Sequence, residues 1–97
     1  MNDLPLYILR RKREKALAPV IIAEIAAKEG FSVADVLSDR RDRHLVHTRW
    51  RAYTALKDAG LGYSGIARMM NRDHSTVMYG IKMLARMDAF LGAEGDE

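Results

Sequence analysis

Apolar residues recur along this 97-residue chain every three or four positions, the period of a helix face rather than of a strand. Helices are therefore predicted throughout. Asn2 or Asp3 caps a first helix with Pro5 in its opening turn, and Leu6, Leu9, Arg13 and Leu17 fall at helical spacing. Pro19 then kinks or restarts that helix, since proline lacks an N–H donor and its ring crowds the carbonyl four residues back. From Val20 the stripe continues through Ile21, Ile22, Ile25, Ala26 and Glu29 to Gly30, a natural stop. Ser32 caps a short turn carrying Val33, Val36 and Leu37, with Asp35 at the capping-box position. Only strands of three or four residues could be drawn anywhere, and no hairpin signal accompanies them.

The apolar rhythm stops at residues 38–44, Ser-Asp-Arg-Arg-Asp-Arg-His, which read as an exposed basic loop. It resumes in a long helix from about Leu45 to Ala59, with Val46, Trp50, Tyr53 and Leu56 or Lys57 on one face, closed by Gly60 and Gly62. A brief helix from Tyr63 to Met70 carries Ile66, Ala67 and Met70 on one side. Asn71, Arg72 and Asp73 form a turn in which Asp73 is a good N-cap. The last helix runs from His74 to about Phe90 or Leu91, burying Val77, Ile81 and Leu84 and presenting Ser75, Tyr79, Lys82 and Arg86 on the opposite face. The division expected is a basic helical extension at 1–18, a helical domain at 19–91 and an acidic, disordered tail at 92–97.

Composition narrows the class. At 48% hydrophobic residues the chain can form a modest core as one small domain, and with no cysteine it has neither disulfides nor a thiol nucleophile, which fits a reducing cytoplasm. The apolar run from Leu17 to Ala27 after a basic stretch is interrupted by Glu24 and Pro19 and is far short of the ~20 residues needed to span a bilayer. Neither export nor membrane insertion is expected.

The net charge of +3 is uneven, because three acids lie in the last four residues. Basic residues cluster at Arg10, Arg11, Lys12, Arg13 and Lys15, and again at Arg40, Arg41, Arg43, Arg49 and Arg51. Eleven of the sixteen are arginine, which bonds phosphates and guanine edges bidentately. A polyanion is the expected partner, and each cluster taken alone is equally explained as a solvated face.

Two helices joined by a three- or four-residue turn, the second opening on small polar residues, describe a helix-turn-helix. Arg72, Asp73, His74, Ser75 and Thr76 would then sit at the exposed start of the recognition helix, where side chains reach base edges in the major groove. Aspartate accepts from cytosine, histidine bonds a purine edge, and a threonine methyl touches thymine. The same residues would also serve as an ordinary N-cap in a generic helical hairpin.

The string Arg72-Asp73-His74-Ser75-Thr76-Val77 resembles the signature of the C-terminal DNA-binding domain of DnaA, the bacterial replication initiator. Residues 33–43, Val-Ala-Asp-Val-Leu-Ser-Asp-Arg-Arg-Asp-Arg, resemble that family's short helix and basic loop, and the likeness extends from about Val20 to Leu84. It implies an all-α, multi-helix fold of the DnaA C-terminal or Trp-repressor-like type, here with an N-terminal helical extension. It implies double-stranded DNA as the partner, no cofactor, and a bacterial or phage setting at the nucleoid. By this resemblance Arg41, in a loop shared with Arg43, enters the minor groove, and Arg49 and Lys57 approach the DNA from the long helix. Asp73, His74, Ser75 and Thr76 read the nine-base-pair DnaA box, and Arg72 is the arginine of the turn.

The chain also departs from the pattern. Thr48 and Trp50 stand where the family often has proline and glutamine, so that glutamine's phosphate contact does not carry over and Trp50 reads as a core residue. Gly62-Tyr63-Ser64-Gly65-Ile66-Ala67 replaces the usual Ser-Leu-Pro-Glu-Ile-Gly, and the turn before Arg72 is one residue shorter, leaving register and site preference open. No Gly-x-x-x-x-Gly-Lys-Ser/Thr occurs, so the initiator's ATPase module is not expected.

Catalysis is a weak rival. Asp73, His74 and Ser75 are consecutive and point ~100° apart on a helix, which cannot form a hydrolase relay. His44 and His47 have helical spacing but lack a known metal-ligand set. A protein-interaction adaptor is the stronger alternative. Leu4, Leu6, Ile8, Leu9 and Leu17 offer apolar surface for a homodimer or a partner through the N-terminal helix, and five methionines from Met69 to Met87 suit adaptable contacts. The plainer expectation is that these residues close the core against the third helix.

Overall fold

A computed structural model describes residues 6–95, with side chains over residues 16–91. The expectations for Asn2, Asp3, Leu4 and Pro5, for the side chains of the Arg10 to Lys15 cluster, and for the tail's acidic side chains lie outside the described residues. Five helices follow in order: α1 (Leu6–Lys28), α2 (Val33–Leu37), α3 (Arg43–Asp58), α4 (Tyr63–Met70) and α5 (His74–Gly95). The all-α reading holds, and no strand occurs among the described residues.

Three helices end by the same device. Gly30 (φ 82°), Gly60 (φ 109°) and Asn71 (φ 54°) adopt left-handed backbone conformations after α1, α3 and α4. In each case the next N–H reaches back to the carbonyl five residues earlier: Phe31 to Ala26 at 2.8 Å, Leu61 to Leu56 at 3.1 Å, and Arg72 to Ala67 at 2.9 Å. These are Schellman endings, which normally carry an apolar contact from the residue after the left-handed one. Phe31 and Leu61 supply apolar side chains there. Arg72 does not, and its side chain is free to reach another part of the chain. Between the first two of these endings, α2 begins on the expected capping box, with Ser32 Oγ accepting from the Asp35 N–H at 3.0 Å and Asp35 Oδ2 accepting from the Ser32 N–H at 3.2 Å.

Pro19 does not restart α1, which runs as one helix from Leu6 to Lys28. Proline inside a helix costs about 3 kcal/mol. Here Ala18, Ile22 and Ala26 are buried one turn apart on either side of it, while the Pro19 ring itself faces solvent. Packing therefore offsets the missing hydrogen bond, and the division expected at residues 18 and 19 falls inside one helix. At the other end α5 extends to Gly95, past the end expected near Leu91.

The core centres on α3, which touches α1, α2, α4 and α5. Its buried face is Leu45, Thr48, Arg49, Ala52, Tyr53 and Leu56. Val46 and Trp50, expected on the core stripe, lie at its edge. The displacement has a simple cause: Thr48 and Arg49 occupy interior positions that a hydrophobic stripe cannot reveal. Thr48 satisfies its hydroxyl by donating to the His44 carbonyl at 2.8 Å. Glu29 fastens the end of α1 to α3 through Arg51 at 2.7 Å. On the other side α5 lies so close to α3 that a Cβ on Gly80 would fall 2.5 Å from Trp50 Cδ1 and 2.8 Å from Tyr53 Cδ2.

Candidate nucleic-acid interface

Helices α4 and α5 flank a three-residue turn. Its first residue, Asn71, tolerates the left-handed conformation better than most because its short polar side chain bonds locally. The Val77 N–H donates to the Asp73 carbonyl at 3.2 Å, which sets Asp73 at the N-cap position of α5. Ile66, Ala67, Met70 and Val77 bury the inner faces of the two helices, so Asp73, His74, Ser75 and Thr76 are left exposed on the outside.

A groove of about 840 Å³ separates this helix start from the basic loop. Arg41 and Asp39 line it from the loop, Trp50 and Tyr53 from α3, Arg68 from α4, and Arg72, Asp73 and Thr76 from the turn and α5. The loop arginine and the start of α5 therefore face one groove although more than thirty residues separate them in sequence. The groove wall also contains Arg68 and Asn71, which the motif reading missed. Arg68 lies outside the Arg-Asp-His string, and its position on the outer face of α4 was the signal available.

The loop arginines divide by what they touch. Arg40 pairs with Asp35 at 3.1 Å and with Asp42, and these carboxylates hold its guanidinium above the ordinary arginine range, Asp42 most strongly. Asp35 is lowered in turn, first by the Ser32 backbone bond and then by the Ser32 hydroxyl. Arg41 is exposed and has no ion-pair partner among the described residues. Arg43 is exposed at the first turn of α3.

Arg49, expected at the DNA, lines the groove yet is only 5% exposed, and its donors are engaged inside the protein. Its Nε donates to the Val36 carbonyl at 2.7 Å, Nη1 to the Arg40 carbonyl at 2.5 Å, and Nη2 to the carbonyls of Ser38 at 2.6 Å and Asp35 at 3.3 Å. These carbonyls belong to the last turn of α2 and the loop after it, and a cation at a helix end of this kind is also favoured by the helix dipole. Burial lowers the Arg49 pKa from the ordinary arginine range, and the neighbouring charge of Arg72 lowers it further. Burial pushes the Tyr53 phenol upward, while Arg72 and Arg49 pull it the other way.

Lys57 and His74 are joined through a residue not singled out in the sequence. The Lys57 ammonium lies 5.0 Å from the centre of the Tyr63 ring, and the Tyr63 ring meets His74 edge-on with centroids 5.7 Å apart. Tyr63 opens α4, so α3, α4 and α5 meet at this stack. Trp50 is half-buried, lines the groove, and stands between His47 and Tyr79 with ring centroids at 4.9 Å and 6.1 Å. Among the described residues no group of three or more histidine or acidic side chains is placed to hold a metal ion. No described helix is long and apolar enough to cross a membrane.

A short helix and a long one at a tight turn, with the polar start of the second exposed beside a cationic groove, define a DNA-binding helix-turn-helix. The chain belongs to the bacterial DnaA protein helix-turn-helix family, which matches residues 19–83. No curated protein and no solved structure matches it.

Proposed function

We propose that the chain binds double-stranded DNA sequence-specifically at DnaA-box-like sites. The supporting observation is that Arg41 and the start of α5 face the same groove. In this reading Asp73, His74, Ser75 and Thr76 address base edges in the major groove while Arg41 enters the adjacent minor groove. Arg43 and Lys57 contact phosphates, which fix register without reading sequence. Arg49 and Arg72 act from within. Occupation of such sites regulates replication initiation or transcription at the nucleoid.

Anisotropy titrations of a DnaA-box duplex and a scrambled duplex at two salt concentrations test this. The box should bind more tightly at both. If six phosphates are neutralised, log affinity falls against log salt with a slope of about −5. Equal affinities for the two duplexes would remove sequence specificity, and no binding at low salt would favour the adaptor reading. That second reading draws on Leu17 and Val20 of α1, each 51% exposed, as the surface of a homodimer or partner interface. Sedimentation showing a monomer at all accessible concentrations would remove the homodimer.

A further inference from the structure

The backbone carbonyl of Ser38 accepts from two guanidinium groups at once: Nη2 of Arg49, at 2.6 Å, and Nη2 of Arg72. Arg72 comes from the helix-turn-helix, thirty-four residues further along the chain, and immediately precedes Asp73. Its Nη1 donates to the Asn71 carbonyl at 3.1 Å, so one planar side chain spans from the turn to the loop. Arg49 meanwhile holds the Arg40 carbonyl, immediately before Arg41. The two cations bear on the residues that directly precede the two groups placed at the DNA.

We infer that Arg72, acting with Arg49 through the Ser38 carbonyl, is a positioning residue that sets the spacing between the minor-groove loop and the recognition helix. The inference rests on the DNA-binding reading above and deepens it. The side chain of Arg72 is only 14% exposed, and the one carboxylate near it, Asp39, lies at 4.0 Å with its own side chain fully in solvent. The guanidinium is therefore committed to carbonyls rather than neutralised by an acid. Two like charges on one acceptor repel each other, and the arrangement persists because each guanidinium has further carbonyl partners. A lysine could supply the charge of Arg72 but not two diverging donors fixed in a plane. With the bridge in place, a duplex that seats α5 in the major groove finds Arg41 already at the neighbouring minor groove. Without it, the loop keeps its inner attachment to Arg49 and its outer ion pairs through Arg40, yet loses its reference to α5.

The substitution Arg72→Lys, which keeps the charge, tests the bridge in two independent ways. Without DNA, amide exchange of residues 39–42 should quicken about tenfold while α1 is unchanged, reflecting a local opening easier by ~1.4 kcal/mol. With DNA, affinity for the scrambled duplex should stay within about twofold, because the phosphate attraction is retained, while affinity for the box falls about tenfold. In a double-mutant cycle, Arg41→Ala should cost about tenfold in the parent chain but less than about threefold in the Arg72→Lys background, whereas His74→Ala should cost the same in both. Unchanged loop exchange, or additive effects of Arg41 and Arg72, would overturn the inference. An equal loss on both duplexes would also overturn it, showing Arg72 to be a plain phosphate contact. If the parent chain fails to distinguish box from scrambled DNA, the sequence-specific reading fails instead, and the exchange measurement still decides whether Arg72 holds the loop.

Discussion

The loop and the recognition helix flank one groove, yet they are held there by different physics. The start of α5 is placed by apolar contact: Val77 is fully buried, and the helix approaches α3 so closely that Gly80 leaves no space for a methyl group against Trp50 and Tyr53. The loop is placed by hydrogen bonds to arginine, with Arg49 gathering the carbonyls of Asp35, Val36, Ser38 and Arg40. Packing is non-directional and tolerates changes of charge but not of volume. Carbonyl chelation reverses those sensitivities: it depends on donor geometry and is indifferent to the size of its surroundings.

The largest effect should come from the polar side. Arg49→Ala leaves the Val36 and Arg40 carbonyls without a side-chain donor at about 1–3 kcal/mol each, so a loss of about 2 kcal/mol or more is expected in urea unfolding. Arg49→Lys should recover less than half of it, because one ammonium cannot serve four carbonyls spread over the loop. A full recovery by lysine would show that charge rather than donor geometry holds the loop.

Gly80→Ala should follow. Alanine gains about 1 kcal/mol of helix propensity over glycine, but overpacking against the two rings costs about 1–3 kcal/mol, and the net is destabilising. Thermal unfolding should drop by about 4–8 °C for each net kcal/mol, with a shifted Trp50 emission. A stabilised Gly80→Ala would mean that α5 is free to move off α3.

DNA affinity should separate a third pair of residues. His74→Ala is expected to cost about 1–3 kcal/mol on the box and little on scrambled DNA, whereas Lys57→Ala weakens both alike and reduces the salt slope by about 1. Equal behaviour of the two variants would dissolve the distinction between reading and anchoring.

The smallest effect is that of pH on the cap of α2. The Asp35 carboxyl is held below its ordinary value by Ser32, so its contribution is fully present above the ordinary carboxylate range and is lost as pH falls through the lowered value. Protection of the Ser32 amide, relative to the unstructured rate at the same pH, should therefore fall in acid while residues of α5 keep theirs. A uniform loss of protection would indicate global unfolding instead.

What the sequence disclosed follows the same division. Periodicity and capping chemistry are local, and they located α4 at Tyr63–Met70, the start of α5 at His74 and the capping box of Ser32 and Asp35. The exposed string from Asp73 to Thr76 was legible for the same reason. Arg49 reads as a surface cation in the sequence because its acceptors lie nine to fourteen residues upstream, in α2 and the irregular loop after it, which no spacing rule connects to it. Gly80 carries no signal in the sequence, since its meaning resides in rings supplied by α3. The continuity of α1 through Pro19 was hidden because local propensity argues for a break and only tertiary packing overrides it.

The stack of Lys57, Tyr63 and His74 has a bearing on timing as well as on placement. An exposed histidine samples several rotamers, and fixing a side chain at an interface costs about 0.5–1.5 kcal/mol of conformational entropy. With its ring set edge-on to Tyr63, His74 surrenders part of that freedom when the protein folds, before any duplex arrives. In the complex proposed above, preorganisation of this kind would lengthen residence on the matched site without a new contact to DNA. Tyr63, which reads no base, would then influence how long the complex lasts.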